Sequence, residues 1–128
     1  MGIRILQSVV LGCLAVIVST SAAIAKCQID GPPFIFLGDN GSYAMSIDMR
    51  HGDSCPLGLT PLNPAVKFDS VDMIAPAQAG VLRRASTFSY DYLAPATGNA
   101  DRFSLKICGT DTRGRGCNVL NYSVTLRD

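Results

Sequence analysis

The segment CGTDTRGRGC contains two cysteines and two arginines, residue types that can form a disulfide or bind an anion. Cys108 and Cys117 are too far apart in sequence for the Cys-X-X-Cys pair of a redox enzyme. Arg113 and Arg115 lie on the glycine-rich tip between them, where guanidinium groups can hold a carboxylate or a phosphate. Arginines on such a tip more often only solvate a turn. We keep Arg113 and Arg115 as a candidate binding loop.

A second candidate lies in the segment MSIDMRHGDSC, where Met45, Met49 and His51 share one side of an extended strand. Thioether and imidazole ligands suit copper, and Cu(I) in particular. Methionines at period two are also common in protein cores. His51, Asp53 and Cys55 alternate as well, but a zinc site there needs a free thiolate. The pattern gives an alternative function, a periplasmic copper-binding protein using Met45, Met49 and His51.

The sequence offers little for catalysis. His51 is the single histidine, and no G-x-S-x-G elbow is present. Every acidic residue is an Asp at a strand or loop position, where solvated Asp is ordinary. No segment supplies a nucleophile, a base and an orienting group together. We expect no catalytic residues, no cofactor and no enzymatic activity.

The N-terminus has the order of a secretory signal peptide. Arg4 precedes an apolar stretch over residues 5–18, and the small residues AIA at 23–25 provide a cleavage site. This order predicts a signal peptide at 1–25 and a single domain at 26–128. We expect no transmembrane segment after cleavage and a periplasmic or secreted location. The segment VLGC resembles a lipobox, so the alternative is a lipoprotein anchored through Cys13.

Charge and cysteine content agree with export. Without Arg4 the chain has ten basic and ten acidic residues, a balance that argues against a nucleic acid partner. An even number of cysteines in a small exported domain predicts two disulfides. The four cysteines of the predicted domain allow three pairings; they are Cys27, Cys55, Cys108 and Cys117.

Alternation of apolar and polar residues dominates the predicted domain. SYAMSIDM, STFSYDY, FSLKI and NVLNYSVTL all alternate, while AVKFDSVDMI changes phase at Ser70, which predicts a bulge. With AGVL, and with FIFL joined to SYAMSIDM through the turn GDNG, these segments predict about seven strands of an antiparallel β-sandwich. The segment CPLGLTPLNP contains three prolines, which predicts a loop or a sheet edge.

The last two predicted strands can be set in register. If Leu105 faces Leu120 across a hairpin, the apolar faces match and the two cysteines of CGTDTRGRGC lie directly opposite each other. Cross-strand neighbours have Cβ separations of about 4.5–5.5 Å, close to what a disulfide needs. We therefore favour the pairing Cys108–Cys117, which leaves Cys27–Cys55 as the second bridge.

From about residue 70 to 126 the sequence resembles bacterial immunoglobulin-like or cadherin-like extracellular modules. The segments that carry the likeness are AP at 75–76, AGVL at 79–82, FSYDYLAP at 88–95 and GNADRFSLKI at 98–107. The spacing from Gly98 to Asp101 is one residue longer than the family's G-x-D-x-F. The resemblance implies an immunoglobulin-like β-sandwich used as a spacer, adhesive or binding module. It implies no catalytic residues, and it implies that Asp101 caps a turn rather than binding calcium.

Together these observations predict an all-β, immunoglobulin-like protein with a non-catalytic role in the bacterial envelope. That role is structural or protein-binding, and the partner is an unidentified protein or envelope component.

Overall fold

The computed structural model describes residues 27–31, 36 and 38–128. The predicted signal peptide at 1–25 and the lipid-anchor alternative at Cys13 lie outside these residues. Strands provide all the regular secondary structure of the described residues, so the all-β prediction is confirmed for this part of the chain. The strands are β1 Cys27–Asp30, β2 Ser42–Arg50, β3 Ser54–Gly58, β4 Lys67–Ala75, β5 Val81–Ser86, β6 Ser89–Leu93, β7 Ala100–Asp111 and β8 Gly114–Arg127.

The strands form two sheets around one core. Five strands pair in the order β1-β2-β8-β7-β4, and three pair in the order β3-β6-β5. Both sheets contribute buried side chains to one apolar cluster. Tyr92 of the smaller sheet meets Phe103 of the larger one at a ring-centroid distance of 5.1 Å, and Phe103 stacks on Tyr122 at 4.8 Å. These aromatic contacts join the inner faces of the two sheets.

One pair of strands departs from the antiparallel prediction. β2 runs parallel to β8, from Ser42 beside Val119 to Arg50 beside Arg127. The turn after β2 carries the chain into the other sheet, so β2 has no hairpin partner following it and pairs with a strand distant in sequence. All other pairs are antiparallel.

Two short strands that the alternation did not predict, β1 and β3, explain why eight are observed instead of about seven. β1 has four residues and is largely exposed, so it shows no alternation. β3 lies in the proline-containing segment predicted as a loop or edge, and it is indeed an edge strand. There Cys55 and Leu57 face the core while Pro56 faces outward, a position where proline's missing N–H costs little. The predicted FIFL strand lies outside the described residues, except for the buried Phe36.

The predicted strand registers are confirmed. Leu105 pairs with Leu120, and Cys108 lies opposite Cys117. β4 has a register shift between Phe68 and Ser70, as the phase change predicted, and it ends immediately before Pro76. Period-two alternation was a sufficient guide here because each of these strands buries one face.

Both predicted disulfides are present. Cys108–Cys117 joins the neighbouring strands β7 and β8 with a Cα–Cα distance of 4.1 Å. Cys27–Cys55 joins β1 of the larger sheet to β3 of the smaller one, with a Cα–Cα distance of 5.5 Å. Two disulfides indicate that the protein folds in an oxidising, extracytoplasmic compartment. In the described part of the chain, no helix has the length and apolar character needed to cross a bilayer.

Two glycines allow the chain to pass close to the β7–β8 hairpin. A Cβ atom on Gly116 would lie 1.9 Å from the carbonyl oxygen of Gly38, and one on Gly109 would lie 2.5 Å from that of Lys67. Larger residues at these positions would push the neighbouring backbone away. The glycines therefore bring the segments before β2 and β4 against the hairpin, at the end of the molecule that contains the candidate site.

Candidate ligand-binding site

A groove opens at this end of the molecule, between three elements. One wall is the loop between β3 and β4, the floor is formed by Phe36 and Phe68, and the far end is the turn between β7 and β8. Its volume is about 460 Å³, within the range of about 300–1,000 Å³ that small-molecule sites occupy. The residues lining it are Phe36, Thr60, Pro61, Leu62, Asn63, Ala65, Val66, Phe68, Asp111, Thr112 and Arg113. We call this feature the Phe36–Phe68 groove.

The floor of the groove is apolar and rigidly packed. Phe36 and Phe68 meet edge to face with ring centroids 5.7 Å apart, and Phe68 contacts Phe88 in the same way at 6.3 Å. Leu62 lies on the loop wall and is 78% exposed, an unusual position for a large apolar side chain. The groove therefore offers aromatic and aliphatic surface at its floor and at its rim.

The far end of the groove is formed by an ion pair, in which Arg113 faces the solvent and Asp111 is largely covered. The Nη2 atom of Arg113 lies 2.8 Å from Oδ2 of Asp111, and the backbone N–H of Arg113 donates to Oδ1 at 2.7 Å. These contacts lower the pKa of Asp111 and raise that of Arg113. The Asp111 side chain is only 11% exposed, whereas that of Arg113 is 66% exposed. A ligand entering the groove thus meets the guanidinium group before the carboxylate.

The segment beside Phe36 is fixed by a buried amide. Asn118 is fully buried, its Nδ2 donates to Oδ1 of Asp39 at 2.7 Å, and its Oδ1 accepts from the backbone N–H of Gly38 at 3.3 Å. The backbone N–H of Gly41 also donates to Asp39 and is the main cause of the lowered pKa of this carboxyl group. These hydrogen bonds join the segment before β2 to β8, next to the groove.

The two arginines of the predicted binding loop border one small depression together with Asp39, but only one of them lines the groove. Arg113 lines the groove, but Arg115 pairs with Asp69 at 3.4 Å and borders another depression beside the Cys108–Cys117 disulfide. Arg113 lies in the turn before β8, whereas Arg115 lies in β8 itself and reaches toward Asp69 of β4. Only Arg113 belongs to the groove.

The residues of the copper alternative lie in or beside the core and at the end of β2. Met49 is 1% exposed and Met45 packs against the core from a half-buried position. Both ring nitrogens of His51 have partners, since Nδ1 lies 3.0 Å from the Asp128 carboxylate and Nε2 contacts the Gly98 carbonyl. The described residues also contain no cluster of three His, Cys, Asp or Glu side chains suited to a metal. These positions give the copper-binding alternative no support, and it stays a prediction.

Asp101 caps a turn. Its carboxylate is 6% exposed and accepts hydrogen bonds from the backbone N–H groups of Gln78, Ala79 and Gly80 at 2.8, 3.1 and 2.8 Å. The Tyr92 hydroxyl donates to it as well, at 2.6 Å. These donors occupy both carboxylate oxygens, so Asp101 holds the loop before β5 and is not arranged to bind a cation.

The sequence analysis missed most of the groove. It treated the loop between β3 and β4 only as an irregular segment, and it did not connect Phe68 with Phe36. One signal was available locally, since Asp111 precedes Arg113 by two residues, a spacing at which an Asp can accept the backbone N–H of a turn. The contact between the two phenylalanines joins distant segments and leaves no local pattern.

Comparisons with known proteins name no family for the chain. No family model matches the sequence, and no curated protein matches it. A 2,6-sialyltransferase from Photobacterium sp. JT-ISH-224 is a similar solved structure, with a TM-score of 0.48 and 11% identity over 69% of this chain. A sialyltransferase from Photobacterium damsela has a TM-score of 0.43 and 16% identity over 67% of this chain. The match spans 18% of each of those chains.

These matches correct the functional expectation. The sequence predicted a non-catalytic protein with a structural or protein-binding role, but the two similar structures described above are sialyltransferases. That expectation is withdrawn. With TM-scores below 0.5 and less than a fifth of each enzyme covered, the matches assign this chain neither an activity nor a substrate.

Proposed function

We propose that this chain is an exported, immunoglobulin-like β-sandwich that binds an anionic, amphipathic small molecule in the Phe36–Phe68 groove. The observation that carries the proposal is the combination in one opening of an apolar floor and an outward-facing guanidinium group. The acidic group of the ligand would lie beside Arg113, and its apolar part would cover Phe68 and Val66. The proposal concerns ligand binding and assigns no reaction to the groove.

The electrostatics of the groove support an anionic ligand. Arg113 lies at the groove's end with most of its side chain in solvent, while its Asp111 partner is largely covered. Arg113 is therefore the cation at the opening, and the Asp111 and Asp39 carboxylates near it offset part of its charge. A carboxylate can add a charge-assisted hydrogen bond to a guanidinium group that is already oriented by Asp111.

The strand order supports the immunoglobulin-like part of the proposal. β3, β6 and β5 occupy the places of strands B, E and D, and β4, β7 and β8 those of C, F and G. The chain differs from antibody domains in lacking tryptophan and in bonding Cys55 to Cys27, so it has no disulfide between the B and F positions. The two disulfides and the signal-peptide pattern support a periplasmic or secreted location.

Octanoate is a suitable probe, because it combines one carboxylate with an eight-carbon chain. In a titration followed by amide chemical shifts, we expect saturable changes confined to residue 36 and to residues 60–68 and 111–113, which border the groove. Octanol, with the same apolar chain and no charge, should bind about tenfold more weakly, the loss of roughly one charge-assisted hydrogen bond. Changes spread over the whole surface, or none at millimolar octanoate, would contradict the proposal.

Matched variants separate charge from location. Arg113→Gln should weaken octanoate binding about tenfold and leave octanol binding unchanged, since only the charged contact is lost. Arg115→Gln removes the same charge from the same turn but does not border the groove, so its affinity for octanoate should match that of the wild type. Ala65→Trp, at an exposed position on the groove wall, should block both probes without changing the melting temperature.

A further inference from the structure

The two disulfides lie in different surroundings. Cys55 is fully buried, and Cys27 is half-buried and packs against the core. Cys108 and Cys117 instead lie on the outer face of the larger sheet, both of them only half-buried, because Ile107 and Asn118 take the inward positions beside them. A dissolved reagent can therefore approach one pair of sulfurs more readily than the other.

The exposed pair is at the bottom of its own depression. This depression has a volume of about 380 Å³ and is lined by Ser70, Gly109 and Gly116 around the two cysteines. Because these residues are small, no large side chain among them covers the two sulfurs. A larger residue at Gly109 or Gly116 would displace the backbone of Lys67 or Gly38. Access to this disulfide is thus a consequence of how the hairpin packs.

The rim of the depression carries one charge of each sign. Arg115 and Asp69 both border it, 3.4 Å apart, and Arg115 is the more exposed of the two at 81%. The attacking species in disulfide exchange is a thiolate anion. Arg115 attracts that anion toward the sulfurs, and Asp69 opposes its approach.

We propose that Cys108–Cys117 is a thiol-exchange site, which a dithiol reduces while Cys27–Cys55 stays oxidised. A thiolate of the reductant attacks one protein sulfur, the sulfur–sulfur bond breaks, and the other cysteine leaves as a thiolate and takes a proton from water. The second thiol, once deprotonated, attacks the mixed disulfide, frees the first cysteine as a thiolate that is then protonated, and closes the reductant's own disulfide. Two electrons pass to the protein, and the reductant is oxidised.

The fold can survive this reduction. β7 and β8 pair continuously from Ala100 opposite Thr125 to Asp111 opposite Gly114, so their backbone hydrogen bonds hold the hairpin without the disulfide. The Cys27–Cys55 bridge between the two sheets remains in place. Exchange is therefore a local event at the end of the molecule that also carries the groove.

The test compares the two disulfides in one oxidised sample. The full chain is exposed to limiting dithiothreitol, alkylated with iodoacetamide at successive times and analysed by peptide mass spectrometry. We expect Cys108 and Cys117 to be alkylated at least about tenfold faster than Cys27 and Cys55, as accessibility controls exchange. Equal rates, or faster reduction of Cys27–Cys55, would overturn the proposal.

Rim variants test the role of charge. Arg115→Gln should slow exchange about two- to threefold, and Asp69→Asn should accelerate it by a similar factor, as expected for exposed charges several ångströms from the anion. Arg113→Gln should leave the rate unchanged, since Arg113 does not border the depression. If neither rim substitution changes the exchange rate, the proposed role of the Arg115 and Asp69 charges is wrong. Ligand binding and exchange depend on different arginines, so either can fail without the other.

Discussion

Replacing Asp101 by asparagine tests whether its carboxylate organises the loop before β5. The Oδ1 atom accepts from the N–H groups of Gln78, Ala79 and Arg102, and an asparagine oxygen can keep these contacts. The Oδ2 atom accepts from the Gly80 N–H at 2.8 Å and from the Tyr92 hydroxyl at 2.6 Å. In the variant an NH₂ group faces both of these donors.

The expected cost follows from those two hydrogen bonds. A hydrogen bond to a charged group contributes about 1.5–3 kcal/mol, so Asp101→Asn should lower the free energy of unfolding by about 3–5 kcal/mol. This is a large part of the roughly 5–15 kcal/mol that stabilises a typical domain. At about 4–8 °C per kcal/mol for a domain near this size, the melting temperature should fall by roughly 12 °C or more. Chemical and thermal denaturation of the oxidised protein would measure both quantities.

Acid should reduce the difference between the two proteins. Burial opposes ionisation of Asp101, but the Tyr92 hydroxyl and the backbone donors outweigh it and lower the pKa of the carboxyl group. A lowered folded-state pKa gives stability above the unfolded-state pKa of about 4, and this stability is lost as the pH falls through the folded-state value. The melting temperatures of wild type and Asp101→Asn should therefore converge between about pH 5 and pH 2.

Tyr92→Phe is the matched control. It removes the hydroxyl donor but keeps the ring and the carboxylate, so it should cost about 1–2 kcal/mol. The double variant should cost less than the sum of the two single changes, because both remove the same hydrogen bond. A loss below about 1 kcal/mol for Asp101→Asn, or a pH-independent difference from wild type, would refute the reasoning.

Two further predictions concern His51 and Gly116. The Gly98 carbonyl, with a further contribution from Asp128, raises the pKa of His51 against the effect of burial, so the protonated ring should stabilise the folded chain. This contribution is fully present below the unfolded-state pKa of about 6.5, and it is lost as the pH rises through the higher folded-state pKa. The melting temperatures of wild type and His51→Gln should therefore converge as the pH rises above about 6.5. A difference in melting temperature that stays constant as the pH rises would contradict this prediction. Gly116→Ala should destabilise by about 1–3 kcal/mol in urea unfolding, because its Cβ would lie 1.9 Å from the Gly38 carbonyl oxygen. Gly58→Ala, where nothing lies within 4 Å, should change stability by less than about 0.5 kcal/mol, and equal effects at the two positions would count against the steric argument.

The sequence was informative wherever a local pattern of residues reflects which side chains are buried. Alternation of apolar and polar residues predicted β2, β4, β6, β7 and β8, because a strand with one buried face must place every second side chain in the core. Matching the apolar faces of the last two strands then set their register. Since cysteines at opposed positions of that register lie within bonding distance, the same match predicted Cys108–Cys117 and, by elimination, Cys27–Cys55.

Only the tertiary structure decided which residues meet across long sequence separations. Arg115 pairs with Asp69 and Asn118 with Asp39, partners 46 and 79 residues apart, and β2 lies parallel to β8. Such contacts depend on where the sheets place distant segments, and the sequence carries no period that encodes them. The sequence thus determined most of the strands, the register of the last two and the disulfides. The structure decided that Arg113 borders a groove and that Cys108–Cys117 borders a second depression, because both depend on how separate segments pack around the hairpin.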